Sequence, residues 1–345
     1  MFPTVGSAAA LPRTRHALVA IALLVAWGVH AMPNVSGEDA VGKVADERAS
    51  DDNLLRRMTG PGIRLTEEKQ FVLPPPTFVS IDGEPVDEAT AKQELGKIAG
   101  RHGIDRFARD SVVAPISTRT DSIKNDAGTR IGHFIDVAFV VNQSIAEIRK
   151  SKTLDDFRSD AEAPEKPDSF AGQDDPEEIE KNKTRSLTKQ ELADKGIELE
   201  GEYETLGYLQ MPLLSKVVVR GVAWARRSVW SNDDENAPVI LTWLLDSRFA
   251  SASPEPEPES IANQWRAIER TSVGEKQLGR PNPYAGMGGY VAITRVPGNT
   301  GASIVQMRFV IHEPIGWFDG RNLLRSKLPI LIQDRVRNLR REMQE

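Results

Sequence analysis

The sequence predicts an α+β fold in which a curved antiparallel β-sheet packs on a long amphipathic helix near the carboxyl end. Two observations support this prediction. Between residues 131 and 313, runs of branched and aromatic residues are joined by short turn sequences, which is typical of antiparallel hairpins. After residue 320, the spacing of apolar residues changes from two to about 3.6, which is typical of a helix with one apolar face.

The first 31 residues have the features of a secretory signal peptide. Arg13 and Arg15 precede an apolar run from Ala17 to Val29, and residues 1–31 contain no acid. The run is shorter than the roughly 20 residues that a membrane-spanning helix needs. We therefore expect cleavage near Ala31 and a periplasmic or extracellular protein. Losing the two arginines changes the formal net charge from −6 to −8 (−6 − 2), which argues against nucleic acid as a partner.

The chain contains no cysteine, which excludes disulfides, thiolate nucleophiles and cysteine metal sites. A chain of this length can bury a sufficient core without disulfides. No Gly-x-Ser-x-Gly elbow is present, and the glycines at 286–289 are not followed by the lysine of a phosphate-binding loop. The sequence thus predicts no catalytic residue, no metal site and no cofactor.

The region before the sheet is expected to contain little regular structure. Residues 32–70 are predicted to be a disordered tether with one short helix near residues 53–58, because apolar residues occur there only in short clusters. Residues 71–130 are predicted to form a helical and extended segment. Three consecutive prolines at 74–76 favour an extended chain, and a helix is expected to follow Pro85 and to end near Gly100.

The main domain covers residues 131–345 and contains two inserts predicted to be disordered. The first, at about 155–184, is rich in acidic residues and prolines, and the second, at about 251–260, contains Pro-Glu repeats. Strand candidates lie outside these inserts: a single strand at 131–141, a hairpin of 216–230 with 238–249, and a hairpin of 289–296 with 302–313.

The last strand has the clearest alternation of apolar and polar residues. Val305, Met307, Phe309 and Ile311 share one face, which predicts a buried face and a solvent-exposed face. The helix that follows carries an apolar stripe: Leu324, Leu328, Leu331, Ile332, Val336, Leu339 and Met343. Pro329 lies inside this helix, so we expect a kink there or the start of a second helix.

This order of elements resembles the START-like, or helix-grip, fold over residues 131–345. Members of that family close a bent antiparallel sheet around the last helix and often hold a lipid or another apolar ligand between them. The segment Glu313-Pro314-Ile315-Gly316-Trp317 and its continuation to Pro329 is also similar to C-terminal segments of uncharacterised bacterial exported proteins. That second similarity implies no particular activity.

The leading functional hypothesis is a non-enzymatic exported protein that binds a hydrophobic small molecule or lipid between sheet and helix. The predicted ligand-binding residues are Val305, Met307, Phe309, Leu324, Leu328, Leu331, Trp317 and Asp136. A second hypothesis is a structural or interaction protein of the cell envelope that acts through its acidic inserts. The basic face of the last helix also allows contact with a membrane surface.

A third hypothesis is a hydrolase or cyclase that uses Asp136 or His133 in the same cavity. Asp136 is unusual because it lies in a strand that otherwise consists of buried residues, and a buried acid needs a partner. Arg220 or Arg308 could supply it. Three scattered histidines, by contrast, are expected to have structural roles.

Overall fold

The computed structural model describes residues 53–150, 176, 178–197, 204–229, 236–258 and 260–344. The predicted signal peptide, residues 32–52 of the predicted tether and most of the first acidic insert lie outside these residues. The described part is α+β: a large, open antiparallel sheet with a long C-terminal helix.

Six helices are described, and four of them have side-chain caps of the kind expected from sequence. At the start of the helix Glu88–Ala99, for example, the Asp87 carboxylate accepts a hydrogen bond from the Thr90 amide, and at the start of the helix Ile145–Arg149, Ser144 and Glu147 form a reciprocal capping box. The helices are α1 (Leu54–Thr59), α2 (Glu88–Ala99), α3 (Ile104–Phe107), α4 (Ile145–Arg149), α5 (Lys189–Ala193) and α6 (Leu323–Glu342).

Thirteen strands are described, of which β1 and β2 form a small separate ladder and the other eleven form one sheet. They are β1 (Ile63–Arg64), β2 (Gln70–Phe71), β3 (Ser117–Lys124), β4 (Arg130–Val141), β5 (Lys183–Ser186), β6 (Glu204–Leu213), β7 (Val217–Val229), β8 (Val239–Leu245), β9 (Gln264–Arg270), β10 (Lys276–Leu278), β11 (Asn282–Pro283), β12 (Met287–Val296) and β13 (Asn299–His312).

The central path of the sheet runs β10-β9-β7-β8-β12-β13-β4-β3, with β6 on the other side of β7. All pairings between the strands are antiparallel, so both predicted hairpins and the strand at 131–141 are confirmed. One edge of β7 has two neighbours: Val217–Arg220 pair with β9, and Ala223–Val229 pair with β8. The sheet therefore forks within β7.

The first face of the sheet packs against α6. Leu324, Leu328, Ile332, Val336 and Leu339 lie at the helix spacing that the sequence predicted, and all are buried in one cluster with β4, β7, β12 and β13. We call this set of buried side chains the interior cluster. The helix continues through Pro329 as one element, so no second helix begins there.

The second face of the sheet is also covered, and the prediction that this face of β13 is exposed to solvent is wrong. Ile304 and Val310, on that face, are buried beneath the N-terminal segment. Leu54, Leu55 and Met58 of α1 pack there, which also corrects the disordered tether for residues 53–70. A short apolar run is enough to order this segment because the sheet supplies the opposing apolar surface.

Parts of the two predicted inserts are also ordered. In the first insert, Ile179 is buried, and β5 begins at Lys183. The described residues of the second insert form bends and a turn, and the Gln264 side-chain amide donates to the carbonyls of Glu257, Pro258 and Ser260. Backbone carbonyls bound to buried side chains hold this acidic segment against the sheet.

Candidate functional site

The predicted ligand-binding residues divide into three groups. Val305, Met307 and Phe309 of β13, Leu324 and Leu328 of α6, and Trp317 all belong to the interior cluster. Leu331 does not: its side chain is 48% exposed, so its predicted place between sheet and helix is wrong. At 100° per residue, Leu331 lies toward the edge of a stripe that is centred on Leu328 and Ile332.

Asp136 belongs to the opposite face of the sheet. Alternate residues of a strand point to opposite faces, and Ile135 and Val137 on either side of Asp136 lie in the interior cluster. Of the two predicted partners, Arg308 binds the Asp136 carboxylate, with 3.1 Å between Nε and Oδ2. Arg220 instead donates to the Gln210 side chain. The expected ion pair of Asp136 is therefore formed with Arg308.

Arg308 also binds the proline segment, residues 74–77, which crosses the second face. Its guanidinium donates to the Pro75 carbonyl and to the Thr77 hydroxyl, and the Tyr290 hydroxyl donates to the Pro74 carbonyl at 2.8 Å. Burial raises the pKa of Asp136 above its usual value, although the charge of Arg308 opposes that shift. These polar side chains attach the N-terminal segment to the sheet.

A second polar group lies where α6 begins. Glu313 follows β13 directly, and its side chain is 4% exposed. One carboxylate oxygen lies 2.6 Å from Nε2 of His133, and the other accepts a hydrogen bond from Arg130, also at 2.6 Å. Arg130 further donates to the carbonyl of Arg321, the residue before the helix N-cap. The ion pair thus connects β4, the end of β13 and the start of α6.

The charge states of this group follow from burial and hydrogen bonding. Burial would raise the pKa of Glu313, but the hydrogen bonds from His133 and Arg130 outweigh it, and the pKa is lowered. Next to it, burial lowers the pKa of His312 to about 4. Glu313 is therefore an anion at neutral pH, and His312 is neutral.

Several buried polar atoms have no hydrogen-bond partner among the described residues. Trp317 Nε1, His133 Nδ1 and Asn322 Oδ1 are all buried without one. Asn322 is the N-cap residue of α6, yet its side chain does not cap the helix. Trp317 belongs to the interior cluster, where its ring stacks on Tyr284 with 5.6 Å between centroids. Unpaired donors and acceptors are thus found beside an otherwise apolar interior.

Several cavities border the described residues. One of about 360 Å³ lies near Thr294 of β12, and one of about 450 Å³ is bordered by His312 and Glu313. A third, of about 710 Å³, lies against β9 and β10. None of the predicted ligand-binding residues borders these three cavities.

The sequence did not reveal the pair of His133 and Glu313. The two residues are 180 positions apart, so no local spacing connects them. The only local signal is an acid at the end of an apolar strand, directly after His312. His133 and Asp136, the two residues of the enzyme hypothesis, bind different partners on opposite faces of β4. They do not converge on one site.

Two further findings concern the described part of the chain. None of its helices combines the length and the apolar character that crossing a bilayer requires. No group of three or more His, Asp or Glu residues among those described is placed to hold a metal ion.

In comparisons with known proteins, no protein-family model matches the chain and no curated protein matches it.

Proposed function

We propose that this chain is an exported, non-enzymatic binding protein that holds an apolar molecule between its sheet and α6. The proposal includes a START-like arrangement, which is supported by an antiparallel sheet followed by a single long helix on one face. It also includes export after cleavage near Ala31, supported by the basic and apolar segments at the N-terminus.

Unpaired polar atoms beside the interior cluster are the main support for this proposal. Trp317 Nε1 and His133 Nδ1 are buried and have no partner in the part of the chain that the structure describes. Leaving a buried donor or acceptor unpaired costs about 1–3 kcal/mol. A ligand whose polar group bonds to one of these atoms would recover part of that free energy. Because Met307, Phe309 and Leu324 are packed together and border none of the cavities described above, its hydrocarbon part would contact them only where α6 moves away from the sheet.

The charges at this end favour a neutral polar group. The positive charge of Arg130 is already compensated by Glu313, whose carboxylate also binds His133. An anionic head group would be repelled by Glu313, and a cation would meet the indole N–H of Trp317, which can only donate. A hydroxyl or an amide can both accept from Trp317 Nε1 and donate to Nδ1 of His133, which is the acceptor nitrogen of the neutral ring because Nε2 donates to Glu313.

The first experiment tests uptake of an apolar probe by the full mature chain. We expect Nile red to bind saturably, and decanol to displace it more strongly than decanoate or decylamine at equal concentration. The three competitors share one chain length and differ in the charge of the head group. Absence of saturable Nile red binding would refute an apolar site.

A matched pair of variants tests the head-group contact. Trp317→Phe removes the indole N–H and keeps an aromatic ring, and we expect decanol to bind about fivefold more weakly, as for the loss of one hydrogen bond. Ile315→Ala, at an 85% exposed side chain nearby, is the control and should bind as the parent does. Equal decanol binding by Trp317→Phe and the parent would contradict the assigned contact.

A further inference from the structure

Among the described strands, β3 is the last of the sheet and has no neighbour on its outer edge. β3 pairs with β4 on one side, and across the residues described no backbone hydrogen bond joins β3 to any other segment. Such an edge presents a row of N–H and C=O groups on which another strand can pair. Many proteins block such edges with proline, charged side chains, a β-bulge or a covering helix. β3 contains no proline.

The charges along this edge are of both signs. Between residues 117 and 123 the charged residues are Arg119 and Asp121, whose side chains are 72% and 44% exposed. Being two residues apart in a strand, they project from the same face of the sheet, and they bind each other within the chain at 2.7 Å. When two copies of this strand pair antiparallel, the arginine of each copy can lie opposite the aspartate of the other.

We propose that two copies of the chain associate through their β3 edges, antiparallel, with a two-fold axis at Thr120. In this register, Arg119 of each copy lies opposite Asp121 of the other, and the symmetry forms the ion pair twice. Thr118 and Ser122, which project from the other face, lie opposite each other in this register. The two sheets become one continuous sheet.

Neighbouring registers are unfavourable for a physical reason. A shift of two residues places Arg119 opposite its own copy, or Asp121 opposite its own copy, and like charges directly opposite each other are destabilising. A shift of one residue places either Arg119 or Asp121 opposite Thr120, and neither ion pair forms. The charge order therefore selects both a second copy of the chain as the partner and one register.

The test is a charge-reversal cycle measured by sedimentation velocity across a dilution series of the full mature chain. Arg119→Asp and Asp121→Arg each replace two attractive contacts in the dimer with two repulsive ones. We expect each single variant to weaken the dimer by about tenfold or more. The double variant restores opposite charges in the same register and should return to within about threefold of the parent.

Lys92→Glu is the control, because it reverses an exposed charge on α2, away from β3. It should dimerise as the parent does, and circular dichroism should show every variant folded. A parent chain that remains monomeric at every concentration refutes the interface. A dimer that is unaffected by the single reversals places the contact elsewhere, and failure of the double variant to recover refutes the register.

Discussion

At the scale of single residues, the His312 imidazole stays neutral at pH 7 because burial lowers its pKa to about 4. Its ring stacks on Tyr284, whose hydroxyl donates to the His312 carbonyl at 2.9 Å. The unfolded chain takes up the proton near the ordinary value of 6.5, whereas the folded chain does not. Acid therefore favours the unfolded chain.

This difference predicts a pH dependence of stability. As the pH falls from about 6.5 to about 4, the free energy of unfolding should decrease by up to about 3 kcal/mol through His312 alone. His312→Gln removes the titrating group, so its stability should change less over that interval. Glu313, whose pKa is lowered, contributes a loss only below its usual value of 4.5 and does so in both proteins. Urea unfolding at several pH values measures the two slopes, and equal slopes would contradict the prediction.

At the scale of elements, the sequence predicted α1 as a short helix near residues 53–58 but did not reveal that this helix is part of the core. Leu55 is 1% exposed, and the side chain packs on the second face of the sheet. We predict that Leu55→Ala lowers the free energy of unfolding by about 2–4 kcal/mol, as for other leucines removed from a core. Val72→Ala is the control, because Val72 is 51% exposed in the same part of the chain. Equal denaturation midpoints for the two variants would mean that α1 is detached.

The elements that could be predicted from sequence are those whose pattern is local. The alternation in β13 and the 3.6-residue spacing in α6 are repeated over many residues, so the sheet and the helix were both identified. Leu331 was misplaced because a periodic stripe does not fix where its edge lies. Residues 53–70 are ordered because they pack on a surface that is formed by strands far along the chain. No local pattern in their own sequence reveals that surface.

At the scale of the whole molecule, the fork within β7 joins the two ends of the sheet through one strand. Asn263 lies at the fork, 0% exposed: its side-chain oxygen accepts from the Val222 amide at 3.0 Å, and its nitrogen donates to the Asp246 carbonyl at 2.7 Å. Gly221 lies against it, because a Cβ atom at this position would come within 2.3 Å of the Asn263 side-chain oxygen. Both branches of the sheet meet at this contact.

We predict that Asn263→Asp destabilises both branches together. The change removes a donor and places a carboxyl group in a fully buried position, at a cost of at least about 3 kcal/mol. Since β8 and β9 share β7, amide exchange measured by mass spectrometry should accelerate by similar factors in peptides from β9 and from β13. Acceleration confined to β9 through β11 would show that the two branches open independently.

The Asn263 side chain replaces a peptide unit: with one acceptor and one donor, it completes the ladder at the point where the main chain of β8 gives way to that of β9. Its amide fits only where residue 221 has no side chain. In homologous chains, a glycine at 221 should accompany asparagine at 263, and a larger residue at either position should appear together with a change at the other. That paired substitution can identify distant relatives whose overall sequence identity to this chain is low.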